Sequence, residues 1–160
     1  MNVSEIWIHP VKSMVGGTAT SVVLDELGAV GDRIWAVRDL DSGGIRGATK
    51  IGGLMRLGAR RLDPEARGYD DVVEIEFPDG RRFTSDDPDI DAALSEELGR
   101  RVTLQHLRPA DDLDHYRRGR PDSDDVMAEL RSIFGRDDDE PLPDLGQFPP
   151  VIMEFESPPG

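Results

Sequence analysis

Two basic side chains and a hydroxyl group lie beside turn signals near the start of the chain, where they could bind an anion. Lys12 and Ser13 follow His9-Pro10, and Arg33 follows Gly31. An ammonium group is a compact charge, a guanidinium group is a planar fork suited to phosphate, and a hydroxyl group adds a further donor. Backbone made irregular by proline or glycine can turn its N–H groups toward such a ligand. These residue types therefore predict a small phosphate site.

The same residues also fit a simpler interpretation, as surface charges of a very acidic chain. The formal net charge is −14, from 33 acidic and 19 basic residues. Exposed ion pairs of this kind contribute little to stability. In a simple up-and-down meander, Lys12 and Arg33 would lie at opposite ends of their strands. The residues alone leave the anion site and the surface charges both open.

Other chemistry has little support in the sequence. The chain has no cysteine and three histidines, His9, His106 and His115, which form no HxxxH or HxE pair. The acidic clusters lack the ligand spacing of a calcium loop. Lys12 and Ser13 are adjacent, so on a strand they would point to opposite faces, and GxSxG, phosphate-loop and GxGxxG motifs are absent. We therefore expect no metal site and no catalytic residue within this chain.

Composition narrows the class of protein. The acidic balance is the opposite of what a general nucleic-acid binder shows, and an anionic membrane surface would repel the chain. No apolar run approaches the roughly 20 residues that a membrane span needs, and the N-terminus shows no basic region followed by an apolar region. We expect a cytoplasmic protein with no nucleic-acid or membrane partner.

About seven strand-like segments and one helix precede Pro109, which predicts a mainly-β, α+β domain over residues 1–108, a small β-barrel with one packed helix. The helix is expected to be capped by Asp87 and to end at Gly99. The Asp-Gly pair at 79–80 predicts a hairpin. The expected strands span residues 3–8, 18–24, 33–38, 72–77, 81–84 and 101–107, with a turn expected over 39–47. Residues 54–62 fit either a helix or a strand, and Gly58 together with the surrounding strand pattern favours a strand.

The composition changes after Pro109. Residues 109–147 are rich in charge and proline, which predicts an acidic linker, interrupted by a helix over 123–134 that Ser123 caps. Residues 148–160 contain one strand-like run, 151–155, without a closing element. We interpret it as the first strand of a truncated second domain. The alternative is a C-terminal decoration folded back on the first domain.

Two sequence motifs carry a family resemblance. His9-Pro10-Val11-Lys12-Ser13, followed by Gly28 and then Gly31-Asp32-Arg33-Ile34-Trp35, resembles the N-terminal β-barrel domain that precedes the MOSC domain. The family pattern is a hydrophobic strand, His/Tyr-Pro-Val/Ile-Lys-Ser, about twenty residues, and then Asp-Arg-x-Trp/Phe. This pairing of domains occurs in amidoxime-reducing molybdenum enzymes, their bacterial relatives and the C-terminal part of molybdenum cofactor sulfurases. The resemblance covers residues 1–107.

The resemblance implies a site and an activity. In the family, the residues matching Lys12, Ser13 and Arg33 contact the molybdenum cofactor, a molybdopterin, chiefly at its phosphate end. The family's molybdenum ligand is a cysteine of the C-terminal MOSC domain, which this chain would need as a partner. The family's reaction is reduction of N-hydroxylated small-molecule substrates, with electrons from a partner protein or domain. The expected role is that of a cofactor-contacting part of a larger oxidoreductase.

Two rival functions remain. One is a non-catalytic module that binds or carries the molybdenum cofactor or another phosphorylated ligand, and the other is a structural domain with a degenerate site. Binding of cofactor by the isolated chain would favour the carrier, and a cysteine-containing β-rich domain in the same protein would favour the enzyme.

Overall fold

Short strands dominate the computed structural model, which describes residues 2–63, 68–121 and 125–147. The strands are β1 Ile6–Ile8, β2 Gly17–Ala19, β3 Leu24–Asp25, β4 Gly28–Ala29, β5 Trp35–Asp39, β6 Ile45–Arg46, β7 Gly58–Arg61, β8 Val73–Glu76, β9 Arg82–Thr84 and β10 Val102–His106. The helices are α1 Ile90–Leu98, α2 Leu113–Tyr116 and α3 Val126–Phe134, with 3-10 turns at Gly52–Arg56 and Leu145–Gln147. The predicted mainly-β, α+β class is confirmed.

The strands pair in four small antiparallel sheets. β5 lies between β6 and β10, β8 lies between β7 and β9, and β1–β2 and β3–β4 are two-stranded. Over the described residues these small sheets do not close into a complete barrel, and the expected helix packs against them as α1. The strands are two to five residues long, because proline and glycine interrupt the ladders soon after they begin.

The segment 11–15, which contains a turn at residues 12–14, joins the two three-stranded sheets. Val11 forms a parallel bridge with Trp35 of β5, and Val15 forms a parallel bridge with Gly58 of β7. The amide of Ala59 donates to the carbonyl of Val15 at 2.8 Å, which fixes the second junction. Val11 is fully buried. The irregular segment after Pro10 is therefore part of the core, where it aligns the two sheets.

The main core lies between these sheets and α1. Asp91 at the start of α1 ties the helix to β10, since its carboxylate accepts from the Leu104 amide at 2.7 Å and the Thr103 hydroxyl at 2.6 Å. Ser95, one turn later, bonds the backbone of Val102 in both directions. Fully buried members of the core are Val11, Val37, Leu54, Leu57, Val73, Ile75 and Leu94. The opposite face of β5 does not contribute to this core and is covered by a second, smaller cluster of side chains.

The segments around the first two sheets differ from the sequence prediction. The strand predicted over 18–24 is shorter, since β2 ends at Ala19, because its partner β1 has three residues before Pro10 stops it. A separate hairpin, β3–β4, follows, with the Asp25 carboxylate accepting from the Leu27 amide at 2.8 Å.

Two further segments are corrected. The strand predicted over 54–62 is a 3-10 turn, Gly52–Arg56, followed by β7, because Leu54 and Leu57 both reach the core at the three-residue spacing of that turn. The turn predicted over 39–47 contains β6, which pairs with Val37 and Arg38.

The hairpin and the first helix are confirmed in their essentials. β8 and β9 flank a turn in which Gly80 has φ of 86°, and α1 ends at Gly99 with φ of 62°. The predicted cap is wrong by two residues. Asp89 occupies the N-cap position without a side-chain cap bond, and the Asp87 carboxylate instead accepts from the Asp89 amide at 2.9 Å.

Between residues 109 and 120 the chain remains packed on the strands. α2 follows within the predicted linker, and its His115 and Tyr116 are buried. The helix predicted over 123–134 is present as α3, while its predicted cap, Ser123, and the predicted strand 151–155 lie outside the described residues. Within the described ranges, no helix is both long enough and apolar enough to cross a membrane.

Candidate functional site

The two sequence motifs are paired directly through their backbones. The Arg33 amide donates to the His9 carbonyl at 2.7 Å, the Trp35 amide to the Pro10 carbonyl at 3.0 Å, and the Lys12 amide to the Trp35 carbonyl at 2.8 Å. The segments run parallel, as the Val11–Trp35 bridge shows. This parallel pairing lays the segments of Lys12 and Arg33 side by side, which a simple meander would not do.

Two residues of the predicted site have unusual backbone conformations. Ser13 has φ of 67° and Arg33 has φ of 54°, and among the described residues these are the only non-glycine residues with positive φ. This conformation costs a non-glycine residue about 1–3 kcal/mol and tends to occur at functional sites. Glycine would adopt this conformation without strain, so the side chains of Ser13 and Arg33 are present at a cost to the stability of the fold.

The Ser13 hydroxyl is positioned by the chain after β6. The Ala48 amide donates to Ser13 Oγ at 3.0 Å. A Cβ atom on Gly47 would lie 3.0 Å from the same oxygen and 3.7 Å from Lys12 Cε, so the backbone there approaches both side chains closely. Because the hydroxyl accepts from an amide, its own hydrogen remains available for an acceptor.

The turn before Arg33 is held by Asp32. Its carboxylate accepts from the His9 amide at 2.8 Å, and its other oxygen lies 3.6 Å from Arg33 Nε. The Arg33 side chain is 69% exposed, so this ion pair is well solvated and holds the guanidinium only weakly. The His9 ring lies against the next turn, where its Nδ1 is 3.1 Å from the Gly16 amide nitrogen and 3.2 Å from the Met14 carbonyl oxygen.

Lys12, Ser13 and Arg33 line one cavity of about 820 Å³. The volume falls within the range of pockets for small organic ligands, and it is larger than a single phosphate group needs. The remaining wall is largely aromatic and apolar: His9, Met14, Val15, Ile34, Trp35, Ala36, Ile45, Ala48, Met55, Gln105, His106, Leu107, His115 and Tyr116. The cavity therefore combines two cationic side chains with an aromatic and apolar lining.

The α2 segment supplies part of that lining. Tyr116 packs with Ile45, Ala36 and Leu107 in a small cluster on the face of β5 opposite the main core. Its hydroxyl donates to the Arg108 carbonyl and accepts from the Arg108 amide at 3.0 Å. The segment predicted to be a linker thus forms a wall of the cavity.

Arg38 links α2 to the central sheet. Its Nη2 lies 3.3 Å from His115 Nδ1 and also donates to the His115 carbonyl. Its Nε donates to the Gln105 side chain at 2.9 Å. Burial and the cations of Arg38 and Arg108 lower the pKa of His115, against a small opposing effect of Asp112. His115 is therefore neutral at physiological pH.

A strap formed by residues 117–120 continues from α2 and is anchored to the turn before β6. The Arg120 amide donates to the Ser42 carbonyl at 2.8 Å, and Arg46 Nη2 donates to the Arg120 carbonyl at 2.6 Å. Gly44 and Gly119 touch, because a Cβ on either would lie 2.5 Å from the other's amide nitrogen. Only glycine permits this approach.

Buried Asp39 organises the turn to which the strap is anchored. Its carboxylate accepts from the amides of Asp41 and Ser42, each at 2.8 Å, and lies 3.1 Å from Arg100 Nε. Burial by itself would raise the pKa of Asp39, but the two amides and the guanidinium together hold it below its ordinary value. The turn thus carries a carboxylate at neutral pH.

Sequence reasoning missed the contribution of the α2 segment. The charge-dense run that contains His115, Tyr116 and Gly119 is typical of linkers. It shows no periodic pattern of apolar residues from which the burial of its aromatic residues could be predicted. The presence of Tyr116 and Gly119 among so many charges was the available sign. The described residues include no cluster of three or more potential metal ligands.

The comparisons with known proteins agree with the two motifs. The family model described as MOSC N-terminal beta barrel domain matches residues 1–116. The match ends at Tyr116, the last residue of α2, so it includes the wall of the cavity that follows the last strand. Neither the curated proteins nor the solved structures gave a match.

Proposed function

The chain belongs to the family of MOSC N-terminal beta barrel domains, and from that premise we propose that it forms the phosphate-binding part of a molybdenum-cofactor site. Lys12, Ser13 and Arg33 are the proposed contacts. The activity we propose for the whole protein is reduction of N-hydroxylated compounds in the cytoplasm, together with a C-terminal MOSC domain and an electron-transfer protein or domain.

The observation that carries this proposal is the convergence of three donors on one cavity. Lys12 offers an ammonium group, Arg33 an exposed guanidinium group and Ser13 a hydroxyl hydrogen, and all three line the same space. Phosphate monoesters prefer this combination of charge and directed donors. Because the whole chain has a net charge of −14, an anion needs a local group of cations such as Lys12 and Arg33 to bind.

The residues fit the cofactor's phosphate and leave the metal to another part of the protein. The chain has no cysteine, so a thiolate ligand has to come from outside these 160 residues. The bound cofactor supplies two-electron redox chemistry, while Lys12, Ser13 and Arg33 bind and orient its phosphate. The absence of cysteine equally supports the second candidate, a module that binds or carries the cofactor or another phosphorylated ligand without redox chemistry.

The decisive experiment compares Arg33→Ala with an exposed arginine far from the cavity. Both variants and the wild type are purified from a host that makes the cofactor, and the pterin released by oxidation is measured by fluorescence. Loss of a charged hydrogen bond of about 1.5–3 kcal/mol should lower cofactor retention by roughly 10- to 100-fold. Arg82→Ala, which removes an exposed ion pair with Glu76 on a strand that lines no part of the cavity, should change nothing.

A titration with ribose 5-phosphate distinguishes the molybdenum cofactor from another phosphorylated ligand. Equal pterin in wild type and Arg33→Ala would refute the site. Absence of pterin from the wild type, with ribose 5-phosphate still bound in an Arg33-dependent way, would point to another phosphorylated ligand.

A further inference from the structure

His115 presents one defined hydrogen-bonding group to the cavity. A guanidinium group can only donate, so the 3.3 Å contact between Arg38 Nη2 and His115 Nδ1 makes Nδ1 the acceptor. The ring hydrogen of neutral His115 then resides on Nε2. The second bond from Arg38, to the His115 carbonyl, holds the residue in place. The imidazole is therefore fixed in one tautomer.

The remaining nitrogen of His115 is available to a ligand. His115 lines the cavity, and within the described part of the chain no hydrogen bond engages its Nε2. His106, which lines the same cavity, differs: its Nδ1 lies 2.8 Å from the Leu107 carbonyl and its Nε2 lies against the Tyr69 carbonyl. His115, unlike His106, retains a donor with no acceptor among the described residues.

The donor lies away from the phosphate contacts. Lys12 is paired with Trp35, while His115 is attached to Arg38, three residues further along β5. The cavity of about 820 Å³ is much larger than a phosphate group, so a ligand whose phosphate is held by Lys12, Ser13 and Arg33 has room to extend toward other lining residues such as His115. The surroundings of His115 include Tyr116, whose ring meets it edge-on at 4.8 Å.

We propose that His115 Nε2–H donates a hydrogen bond to a carbonyl oxygen or ring nitrogen in the heteroaromatic part of the phosphorylated ligand. This assignment rests on the proposed function and adds a specificity-determining residue to it. Lys12, Ser13 and Arg33 hold the phosphate, and His115 distinguishes a heteroaromatic phosphate from a simple sugar phosphate. The aromatic lining of the cavity accommodates the flat ring that such a ligand carries.

A matched pair of substitutions separates the two ring nitrogens. In His115→Asn the side-chain oxygen replaces Nδ1 and keeps an acceptor for Arg38, but the Nε2 donor is lost. In His115→Gln the side-chain nitrogen falls near Nε2 and keeps the donor. The probes are guanosine 5′-monophosphate, which carries a carbonyl-bearing ring, and ribose 5-phosphate, which carries none. Affinities of the full chain are measured by isothermal titration calorimetry.

We expect wild type to bind guanosine 5′-monophosphate more tightly than ribose 5-phosphate. His115→Asn should weaken binding of the nucleotide by about five- to tenfold and leave the sugar phosphate within about twofold, whereas His115→Gln should preserve both. Long-range ¹H–¹⁵N spectra should show the Nε2–H tautomer of His115, with a shift on nucleotide addition. These spectra report on the ring independently of affinity.

Three results would overturn the assignment while the phosphate site stands: equal wild-type affinity for the two probes, equal losses for both probes in His115→Asn, or the Nδ1–H tautomer. If the wild type binds neither probe, the proposed phosphate site fails, and the assignment of His115 fails with it.

Discussion

The backbone amide of Lys12 donates a 2.8 Å hydrogen bond to the carbonyl oxygen of Trp35. Two segments that are far apart in sequence are thereby aligned in parallel. Arg33 lies two residues before Trp35, and its amide donates to the His9 carbonyl. Its side chain lines the same cavity as Lys12 and Ser13. Ser13 and Arg33 both have strained backbones at this junction. Strain at two proposed ligand contacts implies a trade-off between stability and binding that can be measured.

Replacing Arg33 by glycine should separate stability from binding. Glycine accepts φ of 54° freely, and the exposed ion pair that is lost contributes little. We expect the free energy of unfolding to stay equal or to rise by up to about 1 kcal/mol, while ribose 5-phosphate binding falls at least roughly tenfold. Urea denaturation and calorimetric titration give the two quantities. Arg33→Ala should lose binding equally but gain no stability, and a less stable Arg33→Gly would contradict the strain argument.

Gly31→Ala should destabilise the fold. Gly31 has φ of 89°, and a Cβ there would lie 2.5 Å from Nη1 of Arg61, whose guanidinium is nearly buried in an ion pair with Asp71. We expect a loss of about 1–3 kcal/mol in the free energy of unfolding. Gly17→Ala is the control, because a Cβ at that position would have no atom within 4 Å and the backbone is not in the positive-φ range. Similar stability of both variants would refute the requirement for glycine.

Gly119→Ala should detach the strap from the turn before β6. The new methyl group would approach the Gly44 backbone, which cannot give way as a flexible side chain can. We expect faster hydrogen exchange at the Arg120 amide, which donates to Ser42, with a smaller effect on the core strands. Gly52→Ala, where a Cβ meets open space, is the control. Unchanged exchange at Arg120 would show that the strap adapts to the methyl group.

The stability of the fold should decrease as the pH falls below the ordinary pKa of histidine. The unfolded chain carries His115 with its usual pKa of 6.5, whereas burial, followed by the cations of Arg38 and Arg108, lowers the pKa in the folded state. The unfolded state therefore binds more protons in the window below pH 6.5, and unfolding becomes more favourable there.

Urea denaturation of wild type and His115→Asn between about pH 7.5 and pH 5 measures this effect. The variant should show a flatter dependence, since it keeps His9 and His106 but has no ionisable group at position 115. The lowered pKa of Asp39 also removes stability on acidification, but only below the ordinary aspartate value of 3.8, so the two windows are separate. Parallel curves for the two proteins would exclude His115 as the source.

Sequence patterns predict the local elements better than their connections. The hairpin at Gly80 and the end of α1 at Gly99 follow from short-range rules, because a positive φ selects glycine. The parallel pairing of the segment after Pro10 with β5 depends on contacts between distant residues, which no local pattern encodes. The segment 54–62 is ambiguous in sequence, because Gly58 and the surrounding strand pattern favour a strand, whereas the three-residue spacing of Leu54 and Leu57 fits the 3-10 turn that the structure has.

The sequence likewise identifies part of the candidate site and misses the rest. Residue chemistry and the family motif identify Lys12, Ser13 and Arg33, and the structure places all three on one cavity. They do not identify His115 and Tyr116, because the burial of these residues depends on Arg38 and Ile45 of the central sheet. The contribution of that charged segment to the cavity can be identified only from the tertiary structure.

The direct attachment of His9 and Pro10 to Arg33 and Trp35 has an evolutionary consequence. The β3–β4 hairpin, which lies between these motifs, does not set the distance across the binding site, because the backbone hydrogen bonds fix that distance on their own. Its tip can therefore change in length and sequence among descendants while the geometry of the ligand contacts is inherited intact.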